Sequence, residues 1–359
     1  MVSFGDRSAD RVLSKVLKPL KEKGIEIFGI VGEETEGLID PVGRLEDLEA
    51  TGFVEVIPKI PKIALLERRL LKEVSKRKPK VALLVDAPGF NLRLIKKLKK
   101  LGVERIVYFI LPQFWAWKKE RKKVLETYAD TLISILPFEE KFFKNSPVEF
   151  LYVGHPSVEL LETIGTQKIT KQSYFVIFPG SRPNEIKRHL PVLKEAIPKA
   201  VEEFNLLPIV LTFPEYEKRF TELKPFSKIV NLGKNPLEGL SIIKGAEFGW
   251  IKSGTTAFES SILGTPHLTF YKVNPISFWL AKRLVEVDRV HLANIILDEL
   301  VVPELLQRDF TAKNLLKATY QILEKRDLMR EKFNALREML TTDVKPTRKV
   351  SEALLRYLL

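Results

Sequence analysis

Short runs of wholly apolar residues alternate with amphipathic helical patterns along most of the chain. The run at 81–85 (VALLV) contains no polar residue. Strands that are apolar on both faces and separated by helices indicate parallel sheets covered by helices on both sides, which is an α/β fold. The first half has such strands at 25–31, 81–85, 105–110 and 131–135. The second half has them at 175–178, 208–211, 228–230, 248–251 and 267–270.

A polar stretch at 163–173 separates the two series of strands and is the best candidate for a linker. We therefore predict two α/β domains that face each other, 1–165 and 166–340. Ligands of open parallel sheets bind beyond the carboxyl ends of the strands. Candidate functional residues should accordingly follow the strands directly.

The composition limits the classes of function. The 359 residues include no cysteine, which removes disulfides, thiolate nucleophiles and cysteine-ligated zinc. A formal net charge of +13 suggests an anionic partner: a phosphorylated substrate, nucleic acid or an anionic membrane surface. The sequence shows no apolar run near the ~18 residues that span a bilayer and no signal peptide, so we expect neither an integral nor a secreted protein.

Two glycine-containing turns in the second half have the pattern of phosphate-binding loops. In the first, Gly180 allows close approach of a ligand, the following helix offers free N–H groups, and Arg182 adds a forked cation. In the second, hydroxyl groups surround Gly254, and Glu259 is placed to accept both hydroxyls of a ribose. Ordinary strand-to-helix turns, and a capping box of Thr256 with Glu259, remain alternatives. Two such turns in one domain favour a nucleoside diphosphate.

Asp86 follows the apolar strand at 81–85 and is placed to act as a general base. Asp6 and Asp10 follow a very short first strand and have the same potential. Each of these carboxylates is equally compatible with a helix cap.

Two segments of the first half combine apolar and basic residues. Trp115 and Trp117 precede a basic run, which is compatible with nucleic acid, although the periodicity favours buried aromatic residues beside a solvated helix. The segment 52–63 leads into a helix at 64–76, with Ile63 and Leu66 on its apolar face. Basic flanks suit a helix lying on an anionic membrane, but such a stripe more often faces the core.

The sequence gives no indication of a bound metal. The four histidines, His155, His189, His267 and His291, have no metal-ligand spacing. Neither a P-loop nor an Asp-x-Asp motif is present. We therefore expect no metal and no cofactor.

An ordered set of motifs along almost the whole chain resembles the lipid-A-disaccharide synthase family. The motifs are GDRSAD (5–10), VDAPGFN (85–91), PQFWAW (112–117), LPFE (136–139), VGHP (153–156), PGSRPNEI (179–186), SGTTAFE (253–259), FWLAKRLV (278–285), ANI (293–295) and VPELLQ (302–307). Each motif alone is weak, but their order is highly specific.

The resemblance implies an inverting, metal-independent GT-B glycosyltransferase with two Rossmann-like domains and an active site in the cleft between them. It implies an N-terminal acceptor domain, a C-terminal UDP-sugar domain, and a C-terminal helix, about 340–359, that packs back on the first domain. The implied reaction transfers 2,3-diacylglucosamine from UDP-2,3-diacylglucosamine to 2,3-diacylglucosamine 1-phosphate, and gives the β-1,6 disaccharide and UDP. The implied location is the cytoplasmic face of the inner membrane, with an anionic membrane surface and no nucleic acid as partner. A homodimer is left open.

The resemblance, together with the turns described above, assigns roles to individual residues. Asp86 and Arg182 are the catalytic candidates, and Asp86 alone carries the base role because Gly89 stands where the family often has a second acid. Asp6 stands where the family usually has Glu, and Ala9 where it has Gly. Candidates for binding the UDP donor are Gly180, Ser181, Ser253, Gly254, Thr255, Glu259 and Asn294. Candidates on the acceptor and lipid side are Asp6, Ser8, Asp10, Asn91, Trp115, Trp117, Ile60, Ile63 and Leu66.

Two alternatives remain. A UDP-N-acetylglucosamine epimerase of the same fold would act on a UDP-sugar alone, without a lipid surface. A non-catalytic basic protein that binds nucleic acid or membrane would leave Asp86 and the two turns unexplained.

Overall fold

The chain folds into two compact units. The computed structural model describes residues 1–48, 60–116, 119–233, 236–273 and 288–359. The first unit contains residues 1–156 and 340–359, and the second contains residues 157–339. The division therefore comes before the predicted position at 165. The polar stretch is part of the second unit because it bonds there: the Gln167 N–H donates to Ser241 O at 3.1 Å, and Lys228 Nζ donates to Ile169 O at 3.0 Å.

The first unit is built on a seven-stranded sheet in the order β3-β2-β1-β4-β5-β6-β7. Its strands are β1 (Val2–Ser3), β2 (Phe28–Val31), β3 (Asp40–Arg44), β4 (Val81–Val85), β5 (Arg105–Phe109), β6 (Thr131–Ser134) and β7 (Glu149–Tyr152). Its helices are α1 (Arg7–Glu22), α2 (Ile60–Arg77), α3 (Pro88–Lys100), α4 (Glu120–Tyr128) and α12 (Pro346–Leu358). The described strand pairs of this sheet are all parallel, as predicted.

The second unit is built on a six-stranded sheet in the order β10-β9-β8-β11-β12-β13. Its strands are β8 (Tyr174–Phe178), β9 (Leu207–Thr212), β10 (Lys228–Asn231), β11 (Gly249–Lys252), β12 (His267–Tyr271) and β13 (Glu304–Leu306). Its helices are α6 (Pro183–Phe204), α7 (Pro236–Lys244), α8 (Thr255–Ile262), α9 (Leu292–Leu297) and α10 (Ala312–Glu324), with α5 (Pro156–Leu161) and α11 (Arg326–Leu340) at the two unit boundaries. The described strand pairs here are also parallel.

Burial explains which strands the sequence revealed. Every residue of β4 and β8 is buried, because helices cover both faces of the central strands. The strands that the apolar pattern missed, β3, β7 and β13, lie at sheet edges and are partly exposed. Edge strands tolerate polar residues and glycine, which weakens their apolar pattern, although the edge strand β10 was predicted at 228–230.

The two sheets change direction at equivalent positions. In the first unit the chain moves outward from β1 to β3 and then returns to place β4 on the other side of β1. In the second unit β8 and β11 have the same relation. These pairs, β1/β4 and β8/β11, are the topological switch points, and ligands of open parallel sheets bind outside the carboxyl ends of such pairs.

The C-terminal helix belongs to the first unit. Helix α12 packs against α1, and Ser351 Oγ donates a hydrogen bond to Val16 O at 2.8 Å. Among the helices that the structure describes, none is both long and apolar enough to cross a bilayer.

Candidate functional site

The switch point of the first unit holds a strained turn with an aspartate. Asp86 and Ala87 follow β4 with φ of +43° and +46°, a left-handed conformation that non-glycine residues rarely adopt. Two donors hold this turn through the Asp86 carbonyl oxygen: Tyr108 Oη at 2.6 Å and Asn91 Nδ2 at 2.9 Å. Backbone strain of about 1–3 kcal/mol per residue persists where surrounding contacts fix it, and such positions concentrate at functional sites.

The Asp86 carboxyl group has an unusual protonation equilibrium. Burial, the charge of Asp6 and a hydrogen bond with the Asp6 side chain together raise its pKa to about 7, and burial is the largest of these causes. A backbone hydrogen bond from Ala87 and the positive charge of Arg121 oppose this shift. The structure thus brings Asp6 and Asp86 together as a carboxyl pair. Because its pKa lies near neutrality, Asp86 is suited to accept a proton from a hydroxyl group.

The neighbouring candidates of the first unit have different surroundings. Asp6 also caps α1, since it accepts a hydrogen bond from the Ala9 N–H at 2.8 Å.

Asn91 is fully buried, and its side chain forms hydrogen bonds with Ser3, Val85 and Asp86, so it stabilises the turn. Asp10 is buried and accepts from the Glu34 N–H and Thr35 Oγ1. The side chains of Asn91 and Asp10 are therefore hydrogen-bonded within the protein, whereas Ser8 is exposed.

A second buried carboxyl group lies in the turn after β6. Trp115 Nε1 donates to Glu139 Oε1 at 3.0 Å, and Ser134 Oγ donates to Glu139 Oε2 at 2.5 Å. The pKa of Glu139 is raised to about 7 because burial outweighs these two hydrogen bonds. The Trp115 ring also contacts Phe138 edge to face at 5.0 Å. Trp115 is thus fixed from two sides, while Trp117 lies outside the described residues.

Helix α2 begins at Ile60 and divides the predicted lipid-facing residues into two groups. Ile60 is 52% exposed and Leu65 is 48% exposed, and Ile63 is half-buried. Leu66 is buried instead, and it packs so closely that a Cβ on Gly43 would lie 2.1 Å from it. The expectation for Leu66 was wrong, because the core-facing stripe of the helix begins there. The segment 53–59 and the motif at 278–285 lie outside the described residues.

In the second unit, the two glycine turns follow the two strands of the switch point. Gly180, after β8, has φ of +126°, and a Cβ there would lie 2.8 Å from Glu185 Oε2. Arg182 is the N-cap of α6, makes no side-chain cap, and has a side chain that is 49% exposed. Ser181 is exposed beside it. The first turn of α6 therefore combines an uncapped helix start with an exposed guanidinium group, which suits an anion.

The second turn, after β11, has Gly254 at φ +151° as the N-cap of α8. The helix begins at Thr255, so Thr256 is inside it, and the capping box considered from the sequence does not form. Ser253 is half-buried, and Gly254 and Thr255 are exposed. Glu259 is only 4% exposed, and Ser157 Oγ lies 3.5 Å from its Oε1.

An ion pair that the sequence analysis missed joins the two turns. Lys252 Nζ, at the end of β11, lies 3.0 Å from Glu185 Oε1 in the first turn of α6. Arg182 Nη1 lies 3.6 Å from the same oxygen, and Tyr271 Oη is 3.5 Å from it. The signal available in the sequence was position alone: Lys252 ends a strand and directly precedes a glycine turn. Arg121 and Tyr108 of the first unit were missed for a related reason, since they approach Asp86 from other elements.

The hydrogen bonds of the Asn294 side chain do not point its amide towards these turns. Its Nδ2 donates to Val302 O and to Glu304 Oε1, each at 2.8 Å. Its Oδ1 accepts from the N–H groups of Val301 and Val302. The side chain is fully buried, so its amide connects α9 to β13.

All four histidines are buried with lowered pKa values. Burial is the main cause in each case: the pKa is about 3 for His155 and about 4 for His189 and His267, and that of His291 is lowered well below its ordinary value. His267 Nε2 and His291 Nε2 are 3.2 Å apart. Within the described ranges, no group of three or more His, Asp or Glu residues is arranged to hold a metal ion.

The fold is that of the GT-B enzymes that act on UDP-sugars. A UDP-GlcNAc 2-epimerase from Methanocaldococcus jannaschii, solved with UDP-GlcNAc and UDP, superposes with a TM-score of 0.63, at 17% identity and over 99% of each chain. MurG of Acinetobacter baumannii superposes with a TM-score of 0.58, at 13% identity, over 99% of this chain and 98% of that one. The GT-B prediction is confirmed.

The family follows from sequence similarity. The profile of the lipid-A-disaccharide synthetase family matches residues 1–356. The lipid-A-disaccharide synthase of Aquifex aeolicus is 36% identical over 348 residues, which is 94% of each chain. The chain belongs to the lipid-A-disaccharide synthetase family, and the resemblance inferred from the motifs is confirmed.

Proposed function

We propose that this chain is a glycosyltransferase that makes the lipid A disaccharide. It transfers 2,3-diacylglucosamine from UDP-2,3-diacylglucosamine to the 6-hydroxyl of 2,3-diacylglucosamine 1-phosphate, with release of UDP. The observation that carries this proposal is the match to the family over residues 1–356, which includes both switch points. The chemistry of the two switch points supports it, because one offers a base and the other offers cations.

Asp86 is the proposed base. The acceptor 6-hydroxyl gives its proton to the Asp86 carboxylate while its oxygen attacks the anomeric carbon of the donor from the face opposite the leaving group. A pKa of about 7 makes Asp86 a stronger base than an exposed aspartate, and a substantial fraction is still ionised at neutral pH. Asp6 contributes by raising that pKa. A well-placed base accelerates such a step by ~10²–10⁴.

The second unit is the proposed donor domain. As the bond between the anomeric carbon and the diphosphate oxygen breaks, negative charge develops on the departing UDP. Arg182 and the uncapped starts of α6 and α8 stabilise that charge, with Gly180, Ser181, Ser253, Gly254 and Thr255 forming the two turns around the diphosphate. A single well-placed donor to a developing oxyanion contributes roughly 3–4 kcal/mol. Glu259 is proposed to bind the ribose, and Asn294 supports the site indirectly by fixing α9.

The first unit is the proposed acceptor and membrane side. Ile60 and Leu65 are exposed apolar residues of α2, and Lys62, Arg68 and Arg69 are exposed on the same helix. Exposed apolar and basic side chains on one helix suit binding to an anionic bilayer surface. We therefore extend the proposal to peripheral association with the cytoplasmic face of the inner membrane. Ser8 and Trp115 lie on the same unit as candidates for acceptor contact.

The test is mass spectrometry of the products formed by the purified protein. Incubation with UDP-diacylglucosamine and diacylglucosamine 1-phosphate should give the disaccharide 1-phosphate and UDP in equal amounts. Omission of the acceptor should abolish UDP release. Conversion of a UDP-sugar without any acceptor would instead support an epimerase, the activity named for several enzymes of this fold.

A further inference from the structure

Lys252 is a half-buried cation of the second unit that the proposed mechanism does not use. It is the last residue of β11, and its side chain is 13% exposed. Its Nζ lies 5.3 Å from the centre of the Tyr271 ring and 3.0 Å from Glu185 Oε1. These contacts fix a long, flexible side chain in one position at the carboxyl edge of the sheet.

The ammonium group borders both glycine turns. A Cβ placed on Gly254 would be 3.3 Å from Lys252 Nζ, so the charge lies against the turn that opens α8. Through Glu185, which lies against Gly180, the same group is linked to the turn that opens α6. An anion that contacts both turns would therefore meet Lys252.

The charges of this cluster do not cancel. Lys252 and Arg182 share one carboxylate, and both approach Oε1 of Glu185. Oε2 of Glu185 is buried and has no hydrogen-bond partner among the described residues. Burial lowers the pKa of Lys252, because its ammonium group is deprived of water. A further anion close to the ammonium group would compensate this loss of hydration.

We propose that Lys252 is a second cation of the diphosphate subsite, and that Glu185 is the positioning residue that aims it at the two glycine turns. This inference rests on the proposed function, since it assigns the ligand as the diphosphate of a UDP-sugar. Arg182, which is exposed, and Lys252, which is half-buried, would both contact the diphosphate. A charge-assisted hydrogen bond to a phosphate oxygen is stronger than a neutral one, so the loss of Lys252 should be measurable in binding alone.

The experiment is calorimetric titration of the full chain with UDP and with UMP. Lys252→Met should weaken UDP binding by about ten- to a hundredfold and should weaken UMP binding less. Lys252→Arg should restore part of the UDP affinity. Lys317→Met is the matched control, because Lys317 is an exposed lysine of the same unit on α10. It should bind UDP as the wild type does.

A double variant separates a direct contact from a structural ion pair. Glu185→Gln with Lys252→Met removes both partners and leaves the net charge of the cluster unchanged. If Lys252 contacts the diphosphate, the double variant binds UDP as weakly as Lys252→Met. Recovery of wild-type affinity in the double variant would overturn the inference, since the single variant would then have suffered only from a buried carboxylate that had lost its lysine partner.

Two other results distinguish this inference from the proposed function. UDP affinity that falls in Arg182→Ala but not in Lys252→Met would reject the role of Lys252 and leave the donor site in place. No measurable UDP binding by the wild type would reject both. If Lys252→Met fails to fold in a thermal melt, the double variant and Lys252→Arg carry the test.

Discussion

The two units have the same strand order around their switch points but opposite chemistry there. After β1 and β4 the first unit places the two carboxylates Asp6 and Asp86. After β8 and β11 the second unit places two glycine turns with Arg182 and Lys252. One topology thus supports an acidic edge and a cationic edge, because the turn residues are free to vary once the buried strands have fixed the sheet.

The buried titratable groups differ between the units in the same way. In the first unit, burial keeps Asp86 and Glu139 protonated to higher pH than an exposed carboxyl group. In the second, burial keeps His189, His267 and His291 neutral to lower pH than an exposed imidazole. Both effects have one cause, since low-polarity surroundings disfavour whichever form carries charge. Four experiments test this contrast.

The largest effect is expected at the acidic edge. Asp86→Asn should lower turnover by ~10²–10⁴ and leave UDP affinity unchanged, because asparagine cannot accept the acceptor proton. Asparagine tolerates the left-handed backbone, so the turn should persist. Steady-state kinetics measures the turnover, and titration with UDP measures the affinity. Glu104→Gln, at an exposed position of the same unit, is the control. Near-normal turnover would make Asp86 a structural residue of the turn.

The second effect concerns stability in acid. Below about pH 6.5 the unfolded chain binds protons at histidines that stay neutral in the folded second unit. The free energy of unfolding of that unit therefore falls as the pH drops towards about 4. Each histidine contributes up to about 1.4 kcal/mol per pH unit. In the first unit the folded forms of Asp86 and Glu139 bind protons between pH 7 and 4, which stabilises it and offsets the loss at His155.

The second unit should therefore unfold first on acidification. Urea unfolding at pH 7.5, 6.5 and 5.5, with hydrogen exchange resolved by peptide, measures each unit separately. His189→Gln should reduce the pH dependence of the free energy of unfolding of the second unit by the equivalent of about one proton, because glutamine is neutral at every pH used. An equal pH dependence in both units would contradict the contrast.

The third effect concerns the cationic edge. Arg182→Ala should weaken UDP binding by about tenfold or more, and Arg182→Lys should recover only part of it, because a point charge cannot form the bidentate contact. Calorimetry provides the affinities. Lys187→Ala, at an exposed position on the same helix, should have no effect. Unchanged UDP affinity in both Arg182 variants would separate this residue from the nucleotide.

The smallest effect concerns the surface of α2. Replacing Ile60 and Leu65 with serine should reduce salt-resistant binding to anionic vesicles by about tenfold without lowering the melting temperature, because both side chains are about half exposed. Leu66→Ser should instead destabilise the first unit, since Leu66 belongs to its core. Co-sedimentation at high salt and a thermal melt check both. Full vesicle binding by the folded double variant would exclude this surface as the anchor.

The comparison also shows where sequence reasoning succeeds. The central strands were recognised because burial on both faces requires a continuous apolar run, as in Val81–Val85. The residues after those strands, Asp86, Gly180 and Gly254, were found because parallel strands place their carboxyl ends at one edge. The edge strand Asp40–Arg44 was missed, since partial exposure removes the apolar signal.

The α/β class, the family and the turns that carry the candidate chemistry could be predicted from the sequence, because they depend on local patterns and ordered motifs. The fold was needed to show which turns are neighbours and which side chains are already hydrogen-bonded within the protein. Lys252 and Glu185 are 67 positions apart in the chain, yet the pairing of β8 with β11 brings them to 3.0 Å. Asp10, Asn91 and Leu66 were candidates from the short first strand, the family motifs and the apolar pattern, and the structure shows all three buried, since a local pattern does not reveal contacts between distant segments.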